Sequence, residues 1–428
     1  MSNSFYQKDL TDTQRNKIKF LFEKSKKDAR RLRIFATLLL VSTNCPPAFS
    51  ILSYLPLLPF TFNLPTALGT KIFYYALRIA FRRAGKNSRR QNIFSREGFN
   101  LIVSWNTTNA CNMYCAHCYR DAGCKAEEEL STAEAKELLN QIARAGFKIM
   151  IFSGGEPLMR PDILELVEHA TNLKLIAVFG TNGTLITRQM AKDLKSAGAK
   201  GMGISLDSLD AEKHDKFRSF AGAWQGAVDG MKNCLAENLP FQIHTTVMDW
   251  NQHELEALTD FAVEIGAKAH HFFFLVPTGR AKTIEEESLR AEGYENVLTR
   301  IMRKQQEVSI ELKPTCAPQF LRIADQLGMK LRFKRGCLAG LSYCIISPRG
   351  KVQPCAYLNM ELGDVREIPF DELWRSNKIL KTLRTLEYSG NCGGCKYKNK
   401  CGGCRARAAC YNGGDFMSGE PWCNFNRH

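Results

Sequence analysis

Between about residues 100 and 312, short apolar runs alternate along the chain with amphipathic stretches. The apolar runs are rich in β-branched and aromatic residues, as buried strands are, and they cover residues 101–105, 148–152, 175–179, 201–205, 241–247 and 269–274. The stretches with helical spacing cover about residues 161–171, 187–197, 223–237 and 251–265, and a further helix begins at the capping box of Ser131 and Glu134. Six strands joined by helices predict an α/β fold with a parallel sheet, closed as a partial (β/α)6 TIM-like barrel.

The segments that follow these strands are richer in glycine and polar residues than ordinary turns. In a barrel of parallel strands the functional side chains lie at the carboxyl ends of the strands. Ser-Gly-Gly-Glu-Pro at 153–157 combines glycines that let the backbone approach a ligand closely with a carboxylate that can pair with a cationic amine. Further turns follow at 180–183, 205–208 and 276–280. We therefore expect a binding site at this edge of the barrel.

A cluster of three cysteines follows the first strand. Cys111, Cys115 and Cys118 lie on one short loop at a four-then-three spacing, which suits three corners of a cubane 4Fe–4S cluster. Such clusters usually take four thiolates, so three would leave one iron open to another ligand. A zinc site more often has CxxC pairs, and the remaining alternative is three unrelated buried thiols.

This loop resembles the CxxxCxΦC signature of the radical S-adenosylmethionine (SAM) enzymes, with His117 at the aromatic position Φ. The resemblance implies that the open iron binds the amino and carboxylate groups of SAM, and that one electron cleaves SAM to a 5′-deoxyadenosyl radical. It implies SAM-binding roles for the strand-end segments. Their candidate residues are Gly154, Gly155 and Glu156 for the methionyl amine, Thr181 and Asn182 at the same rim, Ser205 and Asp207 for the ribose and carboxylate, Arg218 as a further carboxylate partner, and Arg280 on the adenine side.

A second cysteine-rich region fills residues 313–428, which we expect to form a separate C-terminal domain. Its thiols are Cys316, Cys337, Cys344, Cys355, Cys392, Cys395, Cys401, Cys404, Cys410 and Cys423. The region is loop-rich and poor in apolar residues, so metal centres have to supply much of its stability. The spacing alone allows tetrahedral zinc sites or two more cubanes.

The same region resembles the SPASM extension of radical SAM enzymes, which carries auxiliary 4Fe–4S clusters. The resemblance implies one cluster on Cys337, Cys344, Cys355 and Cys404, and another on Cys392, Cys395, Cys401 and Cys423. Two residues separate Cys401 from Cys404, where the common pattern has three. Cys316 could replace Cys337 or Cys344, or face the substrate. Cys410 is expected to be a free thiol, and Cys124 and Cys234 to be structural.

Charge is concentrated in the first 99 residues, which contain 18 Lys or Arg and five Asp or Glu of a chain with a net charge of +16. The remainder is nearly neutral, so nucleic-acid binding is not indicated. Residues 1–33 predict a basic helix, and two apolar blocks follow at 34–64 and 72–81, the first broken by prolines. This extension is predicted either to anchor the protein on an anionic membrane surface or to pack as a subdomain on the barrel. The absence of an export signal favours the cytoplasm.

Residues 100–428 further resemble the tetrapyrrole-modifying SPASM enzymes, of the 12,18-didecarboxysiroheme deacetylase and haem d1 type. That resemblance implies removal of acetate, propionate or carboxyl groups from a sirohaem-derived tetrapyrrole, with electrons from a ferredoxin or flavodoxin. Arg280, Arg405 and Arg407 are candidates for pairing with substrate carboxylates, the alternative for the last two being a structural role. The competing hypotheses are a SPASM maturase that modifies peptides, and a membrane-tethered iron–sulfur electron carrier.

Overall fold

The computed structural model describes residues 101–425. The predicted helix, apolar blocks and membrane anchor of residues 1–99 lie outside this part of the chain. None of the helices within residues 101–425 is long and apolar enough to cross a bilayer.

All six predicted strands are present, within one or two residues of the predicted bounds. They are β1 (Ile102–Asn106), β2 (Ile149–Ser153), β3 (Ile176–Thr181), β4 (Gly201–Ser205), β5 (Phe241–Val247) and β6 (Ala269–Phe274). Each pairs in parallel with the next. Since the side chains of these strands alternate between cavity and outer layer, the apolar-rich runs reflect burial on both faces of a parallel sheet.

The sheet extends beyond the six predicted strands. β7 (Glu311–Thr315) pairs in parallel with β6, β8 (Tyr343–Ile346) pairs in parallel with β1, and β9 (Lys351–Gln353) and β10 (Gly363–Asp364) continue it in antiparallel fashion. The order is β10-β9-β8-β1-β2-β3-β4-β5-β6-β7. The predicted domain boundary between residues 312 and 313 falls inside β7, and one sheet runs from the barrel into the cysteine-rich region.

Helices connect the strands of the barrel, and further helices follow in the C-terminal region. They are α1 (Thr132–Arg144), α2 (Ile163–Asn172), α3 (Arg188–Ser196), α4 (Ala211–Arg218), α5 (Ala223–Ala236), α6 (Leu255–Glu264), α7 (Ala291–Lys304), α8 (Phe320–Gln326), α9 (Phe370–Ser376), α10 (Lys378–Thr385), α11 (Gly390–Gly393) and α12 (Arg405–Tyr411). The predicted capping box opens α1, where Ser131 accepts from the backbone N–H of Glu134 and the Glu134 carboxylate accepts from that of Ser131. Helix α4 and helices α7 to α12 were not predicted.

Residues from β1 to β8 line one cavity of about 740 Å³. The parallel strands must therefore curve around it, as expected of a partial barrel. A cavity of this size can hold a ligand as large as a dinucleotide or a macrocycle, and the carboxyl ends of the strands form one of its ends.

Candidate functional site

The loop after β1 presents three thiols to this cavity, those of Cys111, Cys115 and Cys118. Backbone hydrogen bonds fix the loop: the N–H of Cys111 donates to the carbonyl of Gly123 (2.8 Å), and that of Cys118 to the carbonyl of Cys115 (3.3 Å). The N–H of Met113 donates to Cys111 Sγ at 3.4 Å. The three side chains are thus held at one side of the cavity by the fold of their own loop.

The Gly-Gly-Glu segment after β2 packs directly on that loop. The N–H groups of Gly155 and Glu156 donate to the carbonyls of Thr108 and Ala110, both at 2.8 Å. A Cβ at Gly155 would lie 2.2 Å from the Ala110 oxygen, and one at Gly154 would lie 2.5 Å from the Thr108 oxygen. Glycine is therefore required here for contact between two backbones, and Gly154 and Gly155 still line the cavity.

Glu156 is fully buried and lies behind the cavity lining. Its carboxylate accepts from Thr181 Oγ1 (2.8 Å), the backbone N–H of Asn182 (2.9 Å) and that of Leu158 (3.2 Å). Burial raises the pKa of Glu156, while the hydrogen bonds from Asn182 and Thr181 oppose the rise. The side chain ties the end of β3 to the end of β2, and Thr181 and Asn182 themselves reach the cavity.

Asp207 is likewise buried behind the lining, and it positions Arg218. Arg218 Nε donates to Asp207 Oδ2 at 2.7 Å, and the backbone N–H of Asp207 donates to His214 Nδ1 at 3.1 Å. Burial acts to raise the pKa of Asp207, but the guanidinium of Arg218, the neighbouring histidines and the hydrogen bond from the Thr246 N–H together outweigh it, and the pKa is lowered. Burial lowers the pKa of His214 to about 4, so its ring is neutral. Arg218 lines the cavity, as does Ser205.

His117 and Arg280 flank the cysteine loop in different ways. The ring of His117 stacks on that of Phe217 (centroids 4.1 Å apart), burial lowers its pKa to about 3, and its buried Nδ1 has no hydrogen-bond partner within the described residues. Arg280 donates to the carbonyls of Cys115 and Ala122, both at 2.9 Å, and its guanidinium lies over the ring of Tyr114. Arg280 is engaged with the backbone of the loop.

The three thiols fit an iron–sulfur cluster by their chemistry. Burial raises the pKa of Cys111 to about 12 and raises that of Cys115, so iron binding has to displace their protons. The guanidinium of Arg218 opposes this rise in the pKa of Cys115. A cation at this position would also offset the negative charge of thiolates that bind iron. With Cys118, they give three sulfur ligands beside an open cavity, which leaves room for a further ligand.

In the first C-terminal cysteine group, the structure favours the alternative in which Cys316 takes the place of Cys344. Cys337, Cys355 and Cys404 line the same cavity as the N-terminal thiols, and the fourth cysteine beside them is Cys316. The charges of Cys337, Cys355 and Cys404 all act on the Cys316 thiol. Cys344 instead lies on β8, fully buried in the main apolar core, and it is absent from the cavity lining. Its backbone register with Val103 in β1 directs its side chain to the outer layer.

The four cysteines of the second C-terminal group lie close together. Cys392, Cys395, Cys401 and Cys423 surround one small pocket of their own. Backbone N–H groups of Glu420 and Tyr397 donate to Cys392 Sγ and Cys395 Sγ, both at 3.4 Å. Within residues 101–425 no group of His, Cys, Asp or Glu side chains surrounds a single ion position, and both cysteine groups are defined here by their shared cavities.

The contacts of Arg405 and Arg407 favour a structural role over pairing with substrate carboxylates. Arg405 donates to the carbonyls of Phe416 and Ser418 and lies over the ring of Tyr388. Arg407 is fully buried between aromatic rings, and donates to the carbonyl of Cys316 at 3.1 Å. Neither lines the cavity.

Several residues that line the cavity carried no signal in the sequence. The ring of Tyr119 lies 5.3 Å from that of Tyr357, which joins the loop of Cys118 to the loop of Cys355. Polar side chains also face the barrel interior from the later strands: Gln242, His244, His271 and Lys313. Counting alternate positions along β5 to β7 would have placed all four on the inner face.

Two family models match the chain over these sites. The Radical SAM superfamily model matches residues 105–262, and the SPASM model, an iron–sulfur cluster-binding domain, matches residues 337–405. A relative named AdoMet-dependent heme synthase, from Methanosarcina barkeri, is 40% identical over 337 residues, which are 75% of this chain and 95% of the relative.

The chain belongs to the radical SAM superfamily.

The names of two further curated relatives of this radical SAM enzyme refer to tetrapyrroles. One is the Fe-coproporphyrin III synthase of Methanosarcina barkeri, 32% identical and matched over 69% of this chain and 80% of the relative. The other is the pre-heme d1 synthase of Dinoroseobacter shibae, 29% identical and matched over 75% and 85%. The prediction of a radical SAM enzyme with a SPASM domain, related to tetrapyrrole enzymes, is confirmed.

Among solved structures, Streptococcus suis SuiB bound to S-adenosylmethionine has the same fold, with a TM-score of 0.62 over 84% of this chain and 89% of SuiB at 15% identity. The predicted α/β fold with a parallel sheet is confirmed. The Radical SAM and SPASM domains imply 4Fe–4S clusters, and SAM is bound in this structural neighbour.

Proposed function

We propose that this radical SAM enzyme acts on the side chains of an iron tetrapyrrole in the formation of haem. The observation that carries the proposal is the shared cavity: the three thiols after β1 and the group that contains Cys316 line one space of about 740 Å³. A macrocycle in this space would contact both groups. The names of the relatives, two of them at 40% and 32% identity, supply the substrate class.

The site assigns roles to this chain's own residues. Cys111, Cys115 and Cys118 would hold the cluster that supplies the electron for reductive cleavage of SAM. Arg218, kept charged and oriented by Asp207, would pair with the methionyl carboxylate, while Ser205 and Asn182 would offer polar contacts. Glu156 is a positioning residue, because its carboxylate is used by the ends of β2 and β3. His117 would shield the cluster side from solvent.

Two ligand sets for auxiliary clusters are part of the same proposal. One is Cys316, Cys337, Cys355 and Cys404, at the cavity; the other is Cys392, Cys395, Cys401 and Cys423, in its own pocket. Electrons would come from a low-potential donor of the ferredoxin or flavodoxin type. Iron and sulfide analysis of anaerobically purified protein should give close to three cubanes, and one cubane with zinc would contradict both sets.

The decisive experiment is anaerobic incubation of the reduced protein with SAM and either of two tetrapyrroles, didecarboxysiroheme or Fe-coproporphyrin III, with mass analysis. Loss of acetate groups from the first would support the deacetylase prediction. Loss of carbon dioxide and two hydrogens per propionate from the second would assign the haem-forming step. Formation of 5′-deoxyadenosine without a change in the mass of either tetrapyrrole would favour the alternative hypothesis, a SPASM maturase that modifies peptides. The fold that this chain shares with SuiB is compatible with that alternative.

A further inference from the structure

Three adjacent strands place polar side chains side by side in the barrel interior. His244 on β5 is in register with His271 on β6, and His271 is in register with Lys313 on β7. Gln242 lies two residues before His244 on the same face. All four line the cavity, and His244 is in register with Ser205 at the end of β4. This group is outside every role assigned above.

The two imidazoles are held in a defined arrangement. Their rings are parallel (interplanar angle 8°) with centroids 5.5 Å apart, and Gln242 Nε2 lies 2.7 Å from His244 Nε2 and 3.4 Å from His271 Nδ1. Because an amide NH2 can only donate, each of these ring nitrogens accepts, and the ring proton lies on the other nitrogen. The amide thus leaves His244 Nδ1–H and His271 Nε2–H as donors.

Gly203 on β4 makes this arrangement possible. A Cβ at residue 203 would lie 2.2 Å from the His244 ring, so a side chain there would displace the imidazole. His271 Nε2 is buried without a hydrogen-bond partner in residues 101–425, with the Glu311 carboxylate 3.8 Å away. An unpaired buried donor is costly, and its presence indicates a site that is completed by a ligand.

Lys313 adds the charge. Its ammonium has no hydrogen bond or ion pair to any residue from 101 to 425, and it lies 4.9 Å from the ring of Phe333. The neighbouring carboxylate, Glu311, is paired with Arg332. Burial lowers the pKa of Lys313, and the charge of Glu311 opposes this effect only in part. The wall of the cavity therefore presents a positive group and neutral donors, and no carboxylate of residues 101–425 forms an ion pair with the Lys313 ammonium.

We propose that Lys313, with His244 and His271, forms a carboxylate-binding subsite inside the barrel that holds one acidic side chain of the substrate. This proposal rests on the proposed function in one respect, namely that the molecule bearing the carboxylate is a tetrapyrrole. A carboxylate anchored here would fix which side chain of a macrocycle faces the SAM-cluster thiols. Lys313 and the imidazoles are positioning residues and take no part in bond breaking.

The test compares Lys313→Met with Lys268→Met, which removes an exposed lysine from the same cavity, in full-length reconstituted enzyme. Lys313→Met should weaken binding of Fe-coproporphyrin III by roughly 10- to 100-fold, the loss of one charge-assisted hydrogen bond. Lys268→Met should bind as the wild type does. Lys313→Arg should recover part of the affinity, and the carboxamide form of the tetrapyrrole should bind the Lys313→Met variant and the wild type alike. Equal weakening for acid and carboxamide would overturn the subsite.

A small probe separates this proposal from the proposed function. The ¹⁹F NMR signal of trifluoropropionate should be broadened by the wild type and by the Lys268→Met variant. The Lys313→Met variant should leave the signal unchanged. If this pattern holds while no tetrapyrrole binds the wild type, the subsite stands and the tetrapyrrole assignment fails. Broadening that persists in Lys313→Met would overturn the subsite.

Discussion

The cavity has cysteine groups at two places, and they are assembled in different ways. Cys111, Cys115 and Cys118 come from one short loop whose own backbone hydrogen bonds hold it. The group at the other side draws Cys316 from the end of β7, and Cys337, Cys355 and Cys404 from three later loops. The first group depends on local sequence and the second on the completed tertiary structure. A change in one thiol should therefore have local consequences in the first group and wider ones in the second.

The largest expected effect is loss of SAM cleavage when the local group is broken. Cys115→Ala should abolish formation of 5′-deoxyadenosine and lower the iron content by one cubane. The cluster has only three protein thiolates, and the two that remain in the variant would not hold it. Chromatography of the nucleoside and iron analysis measure both. Cys124→Ala, at an exposed cysteine outside either group, is the matched control; if Cys115→Ala still cleaved SAM, the assignment of the loop would be wrong.

The second prediction tests the composition of the distant group. Cys316→Ser should lose one cubane of iron, whereas Cys344→Ala should retain all iron and lose only about 1 kcal/mol of stability through reduced burial. Electron paramagnetic resonance of the reduced proteins distinguishes the clusters. Iron loss in Cys344→Ala with full loading in Cys316→Ser would restore the ligand set predicted from the sequence.

The third prediction concerns the ion pair beside the local group. Asp207→Asn leaves the buried Arg218 guanidinium without its counter-ion, and should lower the free energy of unfolding by about 3–5 kcal/mol. Urea titration under anaerobic conditions measures it. The Asp207→Asn/Arg218→Met double variant should recover part of the loss. Additive losses in the double variant would show that the two side chains are not coupled.

The smallest effect is a pH dependence that arises from His214. Its folded pKa of about 4 lies below the unfolded value, so the unfolded state binds more protons as the pH falls. Its contribution to stability is full above the unfolded pKa and decreases, by up to about 1.4 kcal/mol per pH unit, between about pH 6.5 and pH 4. His214→Gln should flatten this part of the curve of urea midpoint against pH, and an unchanged slope would contradict the buried neutral ring.

The same contrast explains what could be predicted from the sequence. Six strands and the loop thiols were recognisable because strand periodicity and cysteine spacing are local signals. β7 was missed because Pro314 interrupts its pattern, and proline is tolerated there since β7 lies at the sheet edge. The choice between Cys316 and Cys344 stayed open, because spacing does not tell which cysteine of a distant segment faces the cavity.

The side chains at the strand ends show a similar division. Glu156 and Asp207 were predicted to contact SAM, and both lie one layer behind the cavity, where they orient groups that line it. A motif identifies which segments form the site; whether its acidic residue faces the ligand or supports a neighbour depends on hydrogen bonds from other strands, such as those of Thr181 and Asn182 to Glu156.

Arg280 binds the backbone of Cys115 across a separation of 165 residues. During synthesis, the thiols of the loop emerge well before the arginine that fixes it, by roughly 10–30 s at ordinary rates of translation. The nascent chain would offer these sulfurs to stray metals and oxidants throughout that interval. Cluster insertion in the living cell is therefore expected to follow completion of the barrel. A chaperone that binds the early chain would protect the loop thiols until the cluster is inserted.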